Sequence, residues 1–271
     1  MIEKKYKISQ IFYSMQGEGQ YTGLPCVFVR FFGCNLQCNF GGETELPEIN
    51  SLDEFVVSKR GCDSGYAWMK GMEKFTEELT AKEIAKKITS LFPNVEGRDF
   101  GVVYTGGEPL LHQDGIYEIH QAIENSYFAF KHFITHIIET NGTIIPNETL
   151  IGEEFHFSIS PKLFSVTKQK NGILLLKRIL DLQWDGFSSY ILKFVLDNNE
   201  ESWKELESVL EELEGPDLKL NRSLVYIMPI GSTKTQQESK ETQEVVLKAL
   251  SLGYKVSARM HVHLFNNEIN R

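Results

Sequence analysis

Six apolar runs, "CVFVRFF", "FGVVYT", "HFITHIIET", "FHFSIS", "YILKFVL" and "SLVYIMP", recur along the chain with helix-like stretches between them. Near-continuous apolar runs mark strands buried on both faces, and strands separated by helices lie parallel, because a parallel crossover needs a helix's length of chain. The pattern therefore demands βα units around a mostly parallel sheet. A capping box opens one intervening helix at Thr80 and closes at Glu83, after which Ile84, Ile88 and Leu91 recur at helical spacing. "TQQE", Thr235 to Glu238, predicts a second box before "VVLKALSLG", with Gly253 as a stop. In "ESWKELESVLEELEG", Trp203, Leu206, Leu210 and Leu213 share one face and Gly215 ends the helix. Six strands fall short of a complete eight-stranded barrel, so an α/β, incomplete (β/α)6-type barrel is expected, with residues 1–271 as a single domain.

A formal net charge of −9 argues against a nucleic-acid backbone as the main partner, since phosphate binding needs a basic face. No segment reaches the roughly 18 continuous apolar residues of a membrane span, and "MIEKKYKISQ" lacks the apolar run of a signal peptide. These features predict a soluble cytoplasmic protein acting on small molecules, with neither nucleic acid nor membrane as partner.

All four cysteines, Cys26, Cys34, Cys38 and Cys62, lie in the first quarter of the chain. In a reducing compartment such clustering fits metal ligation better than disulfides. Cys26, inside "PCVFVRFF", reads instead as a packed strand residue. Cys34 and Cys38 form C-x3-C, but Gly41 stands where a third cysteine would follow. Residues 41–61, "GGETELPEINSLDEFVVSKRG", are polar and acidic at first with glycine at both ends, and read as an inserted excursion. Looped out, it would join "CNLQCNF" to "CDSGYAW" as C-x3-C-x2-C. Three thiolates leave one iron of a four-iron cluster open to a ligand, whereas structural zinc takes a fourth protein ligand. On spacing alone, cluster, zinc and burial all stay open.

Further motifs narrow the choice. "IFYSMQGEGQYTGLPCVFVRFFGCNLQC", "CDSGYAW", "YTGGEPLL", "IIETNGT", "SISPK", "LKFV" and "YIMPIG" follow one another over most of the chain. In these segments the chain resembles the radical S-adenosylmethionine superfamily and, within it, the 7-carboxy-7-deazaguanine synthase family. The resemblance implies a radical S-adenosylmethionine barrel with an insertion in its cluster-binding loop, and a 4Fe-4S cluster on Cys34, Cys38 and Cys62. It assigns S-adenosylmethionine to Gly61 and Asp63, to Gly106, Gly107 and Glu108 of "TGGEP", to Ser160, Pro161 and Lys162 of "SISPK", and to Met228, Pro229, Ile230 and Gly231. Substrate binding maps onto Met15, Gln16, Gly17, Arg30 and Thr105. Ser64 stands where the family places a magnesium-binding threonine and keeps the hydroxyl, which implies a Mg2+ site.

Each assignment has a plainer reading beside it. Gly106–Gly107 and "MPIG" could be ordinary turns. Arg30, a guanidinium within an apolar strand, needs a partner, either a substrate carboxylate or a protein acid. His261 and His263 alternate and would share a face on a strand, where packing or surface roles are the default. The resemblance implies that a reduced cluster cleaves S-adenosylmethionine to a 5'-deoxyadenosyl radical, which abstracts hydrogen from C6 of 6-carboxy-5,6,7,8-tetrahydropterin. Ring contraction and loss of ammonia follow, with no protein side chain as catalytic residue. It further implies a lyase that is a homodimer, serves queuosine-type 7-deazapurine biosynthesis, and takes electrons from a flavodoxin- or ferredoxin-type donor. The alternatives are a radical-activating enzyme that acts on a glycine of a partner protein, and a non-catalytic relative.

Overall fold

A computed structural model of the chain describes residues 3–38, 49–55, 61–169, 173–180, 189–214, 220–266 and 268–269. Gly41, Gly215 and, save for 49–55 and Gly61, the 41–61 excursion lie outside the described residues. The expected strands form the middle of a nine-stranded sheet. They are β2 (Pro25–Phe31), β4 (Asp99–Gly106), β5 (Phe133–Thr140), β6 (Phe155–Ile159), β7 (Ser189–Leu196) and β8 (Val225–Pro229). Three more were not expected: β1 (Lys5–Met15), β3 (Glu77–Thr80) and the two-residue β9 (Lys255–Val256). The order is β3-β1-β2-β4-β5-β6-β7-β8-β9. From β2 to β9 every pairing is parallel, whereas β1 runs antiparallel to both β2 and β3. The sheet is open, as an incomplete barrel requires.

β1 escaped the sequence reading because it carries a different signature. Tyr6, Ile8, Gln10 and Phe12 are buried while Lys5, Lys7 and Tyr13 are exposed, the period-2 alternation of a strand covered on one face. Its pairing with β2 slips between Ile8 and Gln10.

The helices cover the sheet with the faces that their spacing predicts. In α1 (Ala81–Leu91) the Thr80–Glu83 capping box forms and Ile84 and Ile88 are fully buried. Leu91 is exposed instead, because Phe92, just past the helix, turns into the core and stacks on Phe128 at 5.0 Å. In α2 (Gln113–Glu124) Ile116, Ile119 and Ile123 are buried, and in α3 (Glu200–Leu213) so are Trp203, Leu206, Val209, Leu210 and Leu213. The second capping box is displaced from its expected place. Thr233 and Gln236 form it, over the single-turn helix Lys234–Gln237, and Ser239 then caps α4 (Lys240–Ser251) by accepting from the Thr242 N–H. "STKTQQES" offers a hydroxyl at several overlapping positions, and the break in the helix at Glu238 selects two of them. Gly253 stands just past α4 with φ 78°, a left-handed helix stop. No helix among the described residues is long and apolar enough to cross a membrane.

The carboxyl ends of β2 and β4 through β8 converge on one side, and the loops that leave them carry the motifs. Helix packing holds that rim in place. Leu206→Ala, in a fully buried position, is expected to cost about 2–5 kcal/mol in urea unfolding. Leu250→Ala, at 58% exposure on α4, is expected to change stability by no more than about 0.5 kcal/mol.

Candidate active site

Two loops must approach each other as bare backbone to build the rim. After β2 ends at Phe31, the Gly33 N–H donates to the Ala67 carbonyl (2.8 Å), while the Gly33 carbonyl accepts from the Glu108 N–H (2.8 Å). The Gly107 N–H donates to the Phe31 carbonyl at 3.3 Å. A Cβ on Gly107 would lie 2.1 Å from the Gly33 oxygen, and Gly106 takes φ 131° against the Phe31 backbone. Only glycine fits there. The loops after β2 and β4 and the turn after Cys62 are thereby sewn together.

Cys34, Cys38 and Cys62 line one cavity of about 210 Å3 at this junction, although a long excursion separates the last two in sequence. Cys26 lies apart, fully buried against Gly101, as its strand context predicts. The Leu36 N–H donates to Cys34 Sγ and the Trp68 indole N–H to Cys62 Sγ, both at 3.4 Å. Burial pushes the Cys34 thiol up to about 11 and the Cys62 thiol up to about 12, and raises Cys38 as well. A group bound here must therefore displace protons, as metal ions do at thiol sites. Among the described residues, no three cysteine, histidine or carboxylate donors around these thiols lie within 4.8 Å of one another. A single zinc ion needs such convergence, whereas a four-iron cluster takes each thiolate on a different iron. The donor set fits the cluster.

Asp63, Gly106, Gly107, Ser160, Lys162 and Met228 line the same cavity, with the Lys162 ammonium donating to the Ser160 hydroxyl at 3.0 Å. Gly61, Pro229, Ile230 and Gly231 line a second cavity of about 130 Å3, which shares Asp63, Met228 and Arg259 with the first. Two residues assigned to the cofactor line neither. Pro161 is buried, and Glu108 is fully buried with its carboxylate accepting from the Leu110 N–H (3.0 Å), the Thr140 hydroxyl (2.8 Å) and the Asn141 N–H (2.7 Å). Burial raises the Glu108 carboxyl overall, although these three donors oppose it. Glu108 thus locks β4 to β5 from behind the site. Ser64 lines the larger cavity, its hydroxyl 3.3 Å from Asp63 Oδ1.

At the far end stand Met15, Gln16, Gly17, Arg30 and Thr105, all lining the cavity, with Arg30 paired to Thr105 across β2 and β4. The Arg30 guanidinium lies over the Phe12 ring (5.5 Å) and the Tyr66 ring (5.7 Å). Its Nε is buried with no hydrogen-bond partner, and among the described residues Arg30 forms no ion pair. The internal salt bridge that would explain it as structural is absent from that set.

A charged chain fills the remaining wall. Glu18 pairs with Lys193 of β7 and with Arg259 (Nε to Oε1, 2.9 Å), and Arg259 pairs in turn with Asp63. Burial alone would raise the Glu18 carboxyl, but Lys193, Arg259 and His261 outweigh it and hold the group well below its ordinary value. Asp63 is lowered in the same way, Arg259 overcoming its burial. His261 lies on a short helix, α5 (Met260–Phe265), rather than a strand, so it and His263 do not alternate across a sheet. His261 lines the cavity and lies so close to Gly17 that a Cβ there would meet its Nδ1 at 2.1 Å; His263 does not reach the cavity. The Met260 N–H donates to the Gly17 carbonyl at 2.9 Å, which ties this helix to "QGEG".

Glu139, Lys193, Arg259 and His261 were missed as site residues, and Glu18 was noticed only as a carboxylate within "QGEG". One signal would have found two of them. The reasoning that picked out Arg30, a charge within an apolar strand, applies equally to Lys193 in "YILKFVL" and Glu139 in "HFITHIIET".

No family model matches the chain. The 7-carboxy-7-deazaguanine synthase of Halobacterium salinarum is 30% identical over 96% of this chain and 90% of its own length. That of Hyperthermus butylicus is 29% identical over 94% and 91%. The crystal structure of QueE from Escherichia coli superposes with a TM-score of 0.60 at 18% identity, covering 95% of each chain, and so shares the fold. With a glycine-locked rim, three thiols lining one cavity and this likeness along nearly its whole length, the chain belongs to the 7-carboxy-7-deazaguanine synthase family of radical S-adenosylmethionine enzymes.

Proposed function

We propose that the protein converts 6-carboxy-5,6,7,8-tetrahydropterin to 7-carboxy-7-deazaguanine with loss of ammonia, as a radical S-adenosylmethionine lyase of 7-deazapurine biosynthesis. The observation that carries this reading is Arg30, a partly buried cation with an unpartnered Nε in the cavity that holds the three thiols. A partly buried guanidinium with no ion-pair partner among the described residues calls for an anionic ligand, and a substrate carboxylate matches its fork. Phe12 and Tyr66 hold it flat, so little freedom is lost on binding.

Cys34, Cys38 and Cys62 would hold a 4Fe-4S cluster, and when bound, the cluster and S-adenosylmethionine supply the reductive radical initiation that no side chain can provide. Gly106 and Gly107 offer close backbone approach to the methionyl end, beside Ser160 and Lys162. The second cavity, walled by Met228 to Gly231, suits the adenine. Gln16 donates to Glu139 at 3.2 Å, so an amide and a carboxylate stand ready for the donor and acceptor edge of a pterin. The Ser64 hydroxyl, beside Asp63, is suited to one place in a Mg2+ shell otherwise made of substrate oxygens and water. Enclosure in this cavity keeps reactive species from solvent. A homodimer, a cytoplasmic location and a flavodoxin- or ferredoxin-type donor belong to the same reading and rest on the family resemblance.

Three outcomes are expected. Anaerobically reconstituted, dithionite-reduced protein shows an electron paramagnetic resonance signal of a four-iron cluster that shifts on adding S-adenosylmethionine, and Cys62→Ala loses it; an unchanged signal in the variant removes Cys62 from the ligand set. Arg30→Lys keeps the charge but not the fork, and lowers kcat/KM for the carboxylated pterin by at least about 30-fold, or about 2 kcal/mol, mainly through KM. Equal kinetics in the two proteins would remove Arg30 from substrate binding. Glu18 ionises below its ordinary value of 4.5, so its stabilising contribution is complete above that pH and is lost as the pH falls below it. Urea midpoints of wild type and Glu18→Gln should therefore differ most near neutrality and converge in acid, whereas a gap independent of pH would show that the charge contributes nothing.

A further inference from the structure

None of the residues of a second polar cluster lines either cavity. On α2, His120 and Glu124 stand four residues apart, one turn along the same face, and meet His136 of β5. The two imidazole rings lie 4.4 Å apart between centroids and nearly perpendicular, at 84°. His136 Nε2 is 3.0 Å from Glu124 Oε1, and His120 Nε2 is 3.4 Å from Glu153 Oε2 in the segment that leads into β6. Each of His120, Glu124 and His136 offers one ligand atom within 4.8 Å of the others, the one such convergence among the described residues.

A second observation sets this apart from an ordinary buried histidine pair. His120 is only 4% exposed, yet its Nδ1 is buried with no hydrogen-bond partner. Core histidines normally satisfy both ring nitrogens, because a buried unpaired one costs about 1–3 kcal/mol. The far side of His136 is organised as well. The Tyr104 hydroxyl lies 3.0 Å from His136 Nδ1, and burial keeps that phenol protonated far above neutral pH. With Nε2 turned to an ion, Nδ1–H would donate to the Tyr104 oxygen, the outer hydrogen bond that orients metal-bound histidines.

We propose that His120, Glu124 and His136 bind a zinc-class divalent cation, His120 through its unpartnered Nδ1, with water as the fourth ligand and Glu153 holding His120 Nε2 from behind. Two imidazoles, a carboxylate oxygen and a water suit tetrahedral Zn2+, and hard ions such as Mg2+ or Ca2+ would call for more oxygen. The site is structural, lying outside both cavities with its three ligands on α2 and β5 and Glu153 bracing the His120 ring. It fastens the end of α2 to β5 and to the approach to β6, below the strand ends that carry Glu139 and Asn141 into the cavity.

The test uses iron-loaded enzyme, so that the cysteines are occupied. After incubation with equimolar ZnCl2 and gel filtration, elemental analysis should find about one zinc per chain in wild type and at least a tenfold loss in both Glu124→Gln and His120→Ala. Zinc-edge X-ray absorption should show nitrogen and oxygen near 2.0–2.1 Å with no sulfur shell at about 2.3 Å. Removing the zinc with a chelator should lower Tm by about 5 °C in wild type and leave Glu124→Gln unmoved. No retained zinc, a sulfur shell, or equal zinc in Glu124→Gln would each overturn the proposal. Because every readout is metal content, ligation or stability, the pterin activity can fail without affecting it.

Discussion

Backbone meeting backbone at Gly33, Gly106 and Gly107 is the contact on which the site depends. Without a Cβ at Gly107, the "TGGEP" loop lies against the Gly33 carbonyl, and the Glu108 N–H reaches it at 2.8 Å. That contact fixes where Cys34 leaves β2. Glu108 strengthens it from behind by accepting from Thr140 and the Asn141 N–H, so the rims of β2, β4 and β5 form one unit. Asn141 carries the connection back, donating through its side chain to Asn35 in the cysteine loop at 3.0 Å. This stiffness holds the rim of the cavity in place before anything binds.

Electrostatics divides the cavity in two. Around the thiols the chain supplies N–H donors and burial, with Asp63 beside Cys62 adding negative charge. Opposite them, Glu18 is neutralised by Lys193 and Arg259, and Arg259 also neutralises Asp63. Buried ion pairs of this kind add little net stability over an apolar wall, but breaking one leaves a buried charge exposed to a large penalty. Their service here is positional: β7, the loop after β8, the C-terminal helix and "QGEG" are held together around the cavity. Arg30 adds its charge to those that hold the Asp63 carboxyl down, yet among the described residues it forms no ion pair and its Nε has no hydrogen-bond partner, which is what makes it informative.

Much of the parallel sheet was legible because strands buried on both faces must be continuous in apolar character, and six such runs are present. β1 was not, because its alternation belongs to a strand with one wet face and was not sought. At the site, motif and spacing found the thiols, Arg30 and the glycines. They missed Lys193 and Glu139, whose strangeness shows only when each strand is asked why it carries a charge. Arg259 gave no local sign, and His261, noticed with His263 in "ARMHVHLF", was read as a packing or surface histidine.

The sequence by itself determined the fold class, through apolar runs separated by capped helices, and the family, through ordered motifs from "QGEG" to "YIMPIG". Tertiary structure alone decided that Cys62 stands with Cys34 and Cys38 across a long excursion, that Glu108 turns its carboxylate into the protein and away from the cavity, and that the C-terminal helix closes the wall with Arg259 and His261. The physical reason is range. Hydrogen-bond periodicity and side-chain volume act between near neighbours and leave a mark in sequence, whereas pairing of charges and thiols 20 to 240 residues apart depends on where the sheet delivers them.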